Sequence, residues 1–169
     1  MRAYLSGSIE YSADWGKGWR AELTPFLRAL GHDVYDPAAD TKKNLTDEEA
    51  REFRTWKTTD LPHFQETVRK IIAWDLDWIE RRSDYVICYW DEAAARGAGT
   101  QGELTVAHRR GVPVYVVLGM AVGSVSGWIL GCATQVFESF DGLRAFLSAE
   151  HVASFTFSNS QILRSPRCP

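Results

Sequence analysis

The sequence predicts one α/β domain on a mainly parallel sheet of about five strands, and three observations carry that prediction. Short apolar runs of strand length recur at residues 2–6, 32–35, 85–90, 114–118 and 135–137. Between them lie segments whose apolar residues have helical spacing, the alternation of a sheet whose parallel strands are joined by crossover helices. The 169 residues, 45% of them hydrophobic, suffice to bury one core and are too few for two.

Taken in order, residues 2–6 form the first strand and end in Ser6-Gly7-Ser8, small residues that let a ligand approach the backbone. A helix is predicted over 15–30, with Trp19, Leu23, Phe26, Leu27 and Leu30 on one face. Pro25 should kink that helix or mark its true first turn. Gly31 stops it, and the strand at 32–35 closes on Asp36-Pro37. Residues 38–61 are polar without a sustained apolar stripe, so an excursion over the sheet edge, partly helical, is expected.

Over 63–82, Phe64, Val68, Ile71, Ile72, Leu76 and Ile79 form the inward stripe of an amphipathic helix. Asp75 falls on that stripe, whereas Asp77 is turned about 200° away and should be solvated. An inward carboxylate is costly unless it is paired or faces a cavity, so Asp75 reads either as a structural partner or as a site residue. The loop 91–99, ending in Arg96-Gly97-Ala98-Gly99, is flexible enough to wrap a small molecule, and its Asp91 and Glu92 read as solvated acids. Residues 119–131 are glycine-rich and include Ser124, Ser126 and Trp128. A helix over 141–147 closes a domain of residues 1–149. Residues 150–169 lack periodicity and read as an irregular, loosely ordered tail.

One segment carries the chemistry. Gly99-Thr100-Gln101-Gly102-Glu103 sits between two apolar strands, where a helix is predicted to start at Thr100 and run to about residue 110. In a parallel sheet the helix N-termini gather at the edge where ligands bind. A carboxylate there is held as the anion by the helix dipole, which predicts an ionised Glu103, suited to nucleophilic attack. Thr100-x-x-Glu103 equally fits a capping box, in which Glu103 folds back onto the backbone of Thr100.

Composition narrows the function classes. A formal charge of −3 and the absence of any Lys/Arg run argue against a nucleic acid polymer as partner. No apolar run follows Met1 and none reaches membrane-spanning length, so a cytoplasmic protein without a membrane is expected. Cys88, Cys132 and Cys168 have neither metal-ligand spacing nor an even disulfide count and read as free thiols. His32, His63, His108 and His151 are scattered, so neither a metal nor a cofactor is expected. Seven tryptophans exceed what a core of this size needs, and flat aromatic surfaces suit a nucleobase.

The glycine turn after the first strand, inward Asp75 and Glu103 meet at one sheet edge, and two carboxylates facing one cavity are the minimal equipment for cleavage at an anomeric carbon. Here three segments resemble a known family: Tyr4-Leu5-Ser6-Gly7-Ser8-Ile9, Asp75-Leu76-Asp77-Trp78-Ile79 before Ser83-Asp84-Tyr85-Val86-Ile87, and Gly99-Thr100-Gln101-Gly102-Glu103 before Gly111-Val112-Pro113-Val114. In this order they are similar to the nucleoside 2-deoxyribosyltransferase superfamily and its hydrolytic relatives, the 2'-deoxynucleoside 5'-phosphate N-hydrolases. The resemblance covers residues 2–147 and implies a Rossmann-like or flavodoxin-like sheet. It implies Glu103 as nucleophile on C1', Asp75 as the acid that assists the leaving base, and Tyr4 as the group orienting the nucleophile. Gly7 would line the sugar, with Ser8, Ile9, Gly97, Gly99 and Thr100 as further candidate substrate contacts. Of the aromatics near the first loop, Tyr11, Trp15 and Trp19 are candidates to cover the base, with ordinary packing the favoured reading for Trp19.

Two positions depart from the phosphate-binding pattern of the N-hydrolases, where an arginine and a serine serve the phosphate; here they are Glu10 and Gly97. A carboxylate at position 10 repels a phosphate dianion, so the nucleoside is favoured over its 5'-monophosphate, although Lys17, Arg20 or Arg96 would be available as phosphate contacts. The expected function is cleavage of the N-glycosidic bond of a deoxynucleoside, with deoxyribose passing to an acceptor nucleobase or to water. A deoxynucleotide N-glycosidase, a non-catalytic nucleotide-sensing module of the same fold and an NAD glycohydrolase are the alternatives. The resemblance also implies a homodimer or larger even homo-oligomer, with residues 119–128 reaching the neighbouring site.

Overall fold

The structure is a computed structural model; it describes residues 1–162, with side chains through residue 151. Five strands, β1 (Arg2–Gly7), β2 (Asp33–Tyr35), β3 (Tyr85–Trp90), β4 (Val114–Leu118) and β5 (Gln135–Phe137), form one parallel sheet in the order β2-β1-β3-β4-β5. The chain runs from β1 outward to β2, then crosses back to β3 on the other side. The C-terminal ends of β1 and β3 therefore flank the switch point at which such sheets bind ligands. Register places Tyr4 beside Tyr35 on one side and Val86 on the other, and Ser6 beside Cys88.

The period-2 alternation of strand side chains divides the core. Tyr4, Val86, Cys88, Trp90, Val114 and Val116 pack on one face against Ile79, Leu104, Ala107, Ile129 and Cys132. Those partners come from α3 (Leu61–Asp77) with its π-turn (Trp78–Arg82), α5 (Ala98–Arg110) and α6 (Gly127–Cys132). Ala3, Leu5, Tyr85, Ile87 and Val117 pack on the other face against Leu23 and Leu27 of α1 (Lys17–Ala29) and Leu143 and Leu147 of α7 (Phe140–Ile162). Because both faces are covered, the central strands read as continuous apolar runs.

Strands agree with the sequence to within a residue; helices differ more. α1 starts at Lys17 and continues past Pro25, so Pro25 does not mark its first turn, while Trp15 lies before it in a left-handed conformation with φ 60°. The polar stretch contains a full helix, α2 (Asp47–Thr59), started by a capping box between Thr46 and Glu49. On α3, Asp75 is buried as expected but Ile72 is 51% exposed. About two turns before Asp75, the fully buried position is Thr67. Asp77 is not simply solvated: the π-turn, with its five-residue repeat, carries Arg82 to 2.5 Å from it, and Arg81 lies at 3.4 Å.

The loop after β3 is not flexible wrapping but a short helix, α4 (Glu92–Arg96), capped by Asp91 accepting the Ala94 N–H at 2.8 Å. Three consecutive alanines favour that turn of helix. The glycine-rich stretch holds a 3₁₀ turn (Val122–Ser124) and α6. α7 continues past residue 147 to Ile162, because no glycine or proline interrupts the chain between Gly142 and Pro166. The rest of the predicted tail, 163–169 with Cys168, lies outside the described residues. Among those described, no helix is long and apolar enough to cross a membrane.

Candidate functional site

Three consecutive features of β1 build the centre. Tyr4 and Ser6 are two residues apart and so share a face, and both are fully buried. The Tyr4 hydroxyl donates to Glu103 Oε1 at 2.7 Å, and the Ser6 hydroxyl donates to Oε2 at 2.5 Å. Gly7 follows, where a Cβ would come within 3.2 Å of the Trp19 ring and 3.3 Å of the Tyr89 carbonyl, so only glycine lets these parts close.

Glu103 is not at the start of its helix. α5 begins at Ala98 with Gly97 as an uncapped N-cap, so Thr100 is buried in the first turn and Glu103 stands in the second. The capping box therefore does not form: Gly99 and Gly102 look like a turn in sequence but are ordinary helical residues here. The electrostatic expectation is also corrected. Burial, reinforced by Asp75, raises the Glu103 pKa above the usual glutamate value, and the hydroxyls of Ser6 and Tyr4 only partly offset this. The dipole argument weakens because it acts mainly within the first turn. Burial together with the Glu103 carboxylate pushes the Tyr4 phenol well up, so Tyr4 remains a donor.

Asp75 connects to this centre through Tyr35, which neighbours Tyr4 in the sheet. The two tyrosine rings are 5.4 Å apart, and Tyr35 stacks on Trp78 at 4.0 Å. The Tyr35 hydroxyl donates to Asp75 at 3.3 Å and to Asp40 at 3.0 Å, and Trp74 Nε1 donates to Asp40 at 2.9 Å. The short contact of Asp75 is to Lys43, with Nζ 2.6 Å from Oδ2 and both side chains 11% exposed. Burial raises the Asp75 pKa and Lys43 opposes that rise. For Asp40 burial also acts upward, but hydrogen bonds from the Lys43 backbone, Trp74 and Tyr35 prevail and its pKa is lowered.

Beneath the loop after β1 lies a residue that sequence reasoning assigned elsewhere. Arg20 is fully buried, donating to the carbonyls of Leu5, Gly7 and Gly16 and paired with Asp36 at 3.3 Å. It is committed to the main chain and does not face solvent as a phosphate contact would. Its helical spacing from Leu23 and Leu27 is the signal that could have found its burial, but its charge reads as surface. Ser6 had such a signal too, in its two-residue offset from Tyr4. Lys43 and Tyr35 gave no local signal, because their partners are 32 and 40 residues away.

The remaining predicted contacts lie in the loop between β1 and α1 and where α4 meets α5. Ser8 Oγ accepts the Tyr11 N–H at 3.3 Å, and Ile9 is half-buried. Trp15 is exposed and covered by the Arg54 guanidinium, 4.9 Å from its ring. Trp19 instead packs against Phe140 and Tyr89. A Cβ at Gly97 would touch the Tyr11 ring at 3.4 Å, whereas one at Gly99 would meet nothing within 4 Å. Glu10 is paired with Lys57 at 2.6 Å. A cavity of about 410 Å³ opens between Tyr11, Tyr89, Asp91, Arg96 and Gly119; neither Glu103 nor Asp75 lines it, so the single cavity faced by both carboxylates that the sequence led us to expect is not this one. Cys88 lies against this centre, but burial pushes its thiol up, away from the reactive thiolate.

No family model and no curated protein matches this chain. Among solved structures, a 2-deoxyribosyltransferase from the psychrotolerant bacterium Bacillus psychrosaccharolyticus matches it with a TM-score of 0.55 and 19% identity, over 85% of this chain and 90% of that one. The parallel five-stranded sheet described above is thus a fold that this chain shares with that enzyme.

Proposed function

We propose that the chain is a member of the nucleoside 2-deoxyribosyltransferase superfamily that cleaves the N-glycosidic bond of a 2'-deoxynucleoside. The observation that carries this reading is the Glu103 carboxylate, gripped by Tyr4 and Ser6 at the β1/β3 switch point with Asp75 in electrostatic reach. In this reading one Glu103 oxygen attacks C1' while the base departs with the bonding pair and takes up a proton. A covalent glutamyl-deoxyribosyl intermediate then passes the sugar to another base or to water. Without a 2'-hydroxyl, the developing oxocarbenium charge is easier to reach, and the neighbouring carboxylate stabilises it. Tyr4 and Ser6 keep the carboxylate from rotating away from the sugar face.

A second reading, a deoxynucleoside 5'-monophosphate as substrate, is favoured by one observation. Glu10 is neutralised by Lys57, so its charge argues less strongly against phosphate than the sequence implied. We also propose a homodimer in which residues 119–128 reach the partner's site, supported by the exposure of Val122 and Trp128, 57% and 66%. The test of function is incubation with a panel of deoxynucleosides and their monophosphates, with and without an acceptor base. Release of free base that Glu103→Ala abolishes is the expected result. No base release from any member, or release that survives the substitution, rejects the reading.

A further inference from the structure

The acid that would protonate the departing base is tied up. Lys43 Nζ lies 2.6 Å from Asp75 Oδ2 in a shielded pair, and Lys43 is itself held in a left-handed turn, φ 39°, followed by Asn44 at φ 61°. That turn is pinned by Asp40, which accepts the Lys43 N–H at 3.1 Å while also accepting from Tyr35 and Trp74. Non-glycine residues in this region are strained and persist only where the surroundings fix them. Here the surroundings fix an ammonium against a carboxylate. Asp75 is faced by Lys43 and Asp40 from the loop after β2, by Tyr35 from β2, by Tyr4 from β1 and, at longer range, by Glu103 from α5. Lys43 is the cation in direct contact with Asp75, and its charge reaches Glu103 as well, opposing the effect of Asp75 there; Arg20, from α1, also acts on Glu103 and Tyr4.

We propose that in this chain Lys43, oriented by ionised Asp75, holds the proton that the leaving base receives. This rests on the function proposed above and changes the role of Asp75 from proton donor to orienting anion. As the C1'–N bond breaks, its electron pair goes to the base, C1' bonds to a Glu103 oxygen, and an Nζ–H proton moves to the base, leaving a neutral amine beside Asp75. When water or an acceptor base attacks C1', the C1'–Glu103 bond breaks with its pair returning to the carboxylate. The proton lost by the attacking group restores the ammonium. Charge and protons close over the cycle without an external reagent.

The chemistry of the two basic side chains supplies the test. Arginine keeps the positive charge and the carboxylate pair but does not give up a proton in a protein. Lys43→Arg and Lys43→Met are compared with the wild-type chain, first by thermal melt and then on two substrates. One is a natural deoxynucleoside; the other is p-nitrophenyl 2-deoxyriboside, whose leaving group needs no protonation. Lys43→Arg, which keeps the positive charge and whose fold the melt checks, is expected to lower kcat on the nucleoside roughly 10²-fold or more while leaving p-nitrophenol release within a few-fold. Lys43→Met should share that selective loss. Equal losses on both substrates, or nucleoside turnover by Lys43→Arg near the wild-type rate, overturn the proposal while leaving the function standing. A wild-type chain that releases neither leaving group overturns both.

Discussion

The Tyr4 hydroxyl donates to Glu103 Oε1 across 2.7 Å, joining the third residue of β1 to the second turn of α5. Burial raises the pKa of Glu103, and this bond acts against that rise. Tyr4→Phe should therefore move the acidic limb of the pH–activity profile to higher pH, since the carboxylate must be ionised to attack and loses a donor. A fall in kcat of roughly 10²-fold is expected at neutral pH. A pH series of initial rates for the two proteins checks both statements; an unmoved limb contradicts the first.

The same burial predicts a stability effect of opposite sign to the usual acid denaturation. Because the folded-state pKa of Glu103 lies above its unfolded value of about 4.3, the folded chain binds more protons between the two. Its contribution to stability is thus fully present below the unfolded value and is lost as pH rises through the folded one. Glu103→Gln removes that loss and should be more stable by about 1 kcal/mol at neutral pH, with the advantage shrinking toward pH 4. Urea unfolding at several pH values measures it.

Arg20 has four oxygen partners and no contact with solvent. Replacing it with methionine leaves Asp36 and three carbonyls short of a donor in the interior, at a cost of about 3 kcal/mol or more. The loop after β1 should loosen first. Hydrogen exchange of residues 8–16 alongside urea unfolding distinguishes this from a surface substitution, which would change neither.

Two glycines share a left-handed backbone yet should respond differently to alanine. Gly31, φ 75°, has open space where a Cβ would go, so Gly31→Ala carries only the backbone strain, about 1 kcal/mol. Gly16, φ 68°, would drive its Cβ into the Ser8 carbonyl and the Arg20 guanidinium. Gly16→Ala should cost at least twice as much, because the carbonyl cannot swing aside. Comparing the two unfolding free energies is a direct check.

The sheet was readable because its strands are buried on both faces and announce themselves as apolar runs; Tyr85–Trp90 and Val114–Leu118 fall where the sequence put them. Helix starts were less legible. Gly99 and Gly102 looked like a turn, but α5 had already begun at Ala98, and this moved Glu103 from the first turn, where the helix dipole acts most, into the second. The inward position of Asp75 followed from helical periodicity alone. Its pairing with Lys43 did not, since a contact across 32 residues leaves no local pattern. Arg20 shows a related limit: a cation reads as surface until the main-chain carbonyls that surround it are seen.

The central claim is that Glu103 bonds covalently to the sugar. Mass spectrometry of the chain after mixing with a 2-fluoro-2-deoxyribonucleoside tests it most directly, because the fluorine slows release of the intermediate. The account predicts a mass increase of one fluorodeoxyribosyl group, located on the peptide containing Glu103 and absent from Glu103→Ala. An unmodified chain under conditions where the natural nucleoside is turned over, or an adduct on any other residue, would contradict it.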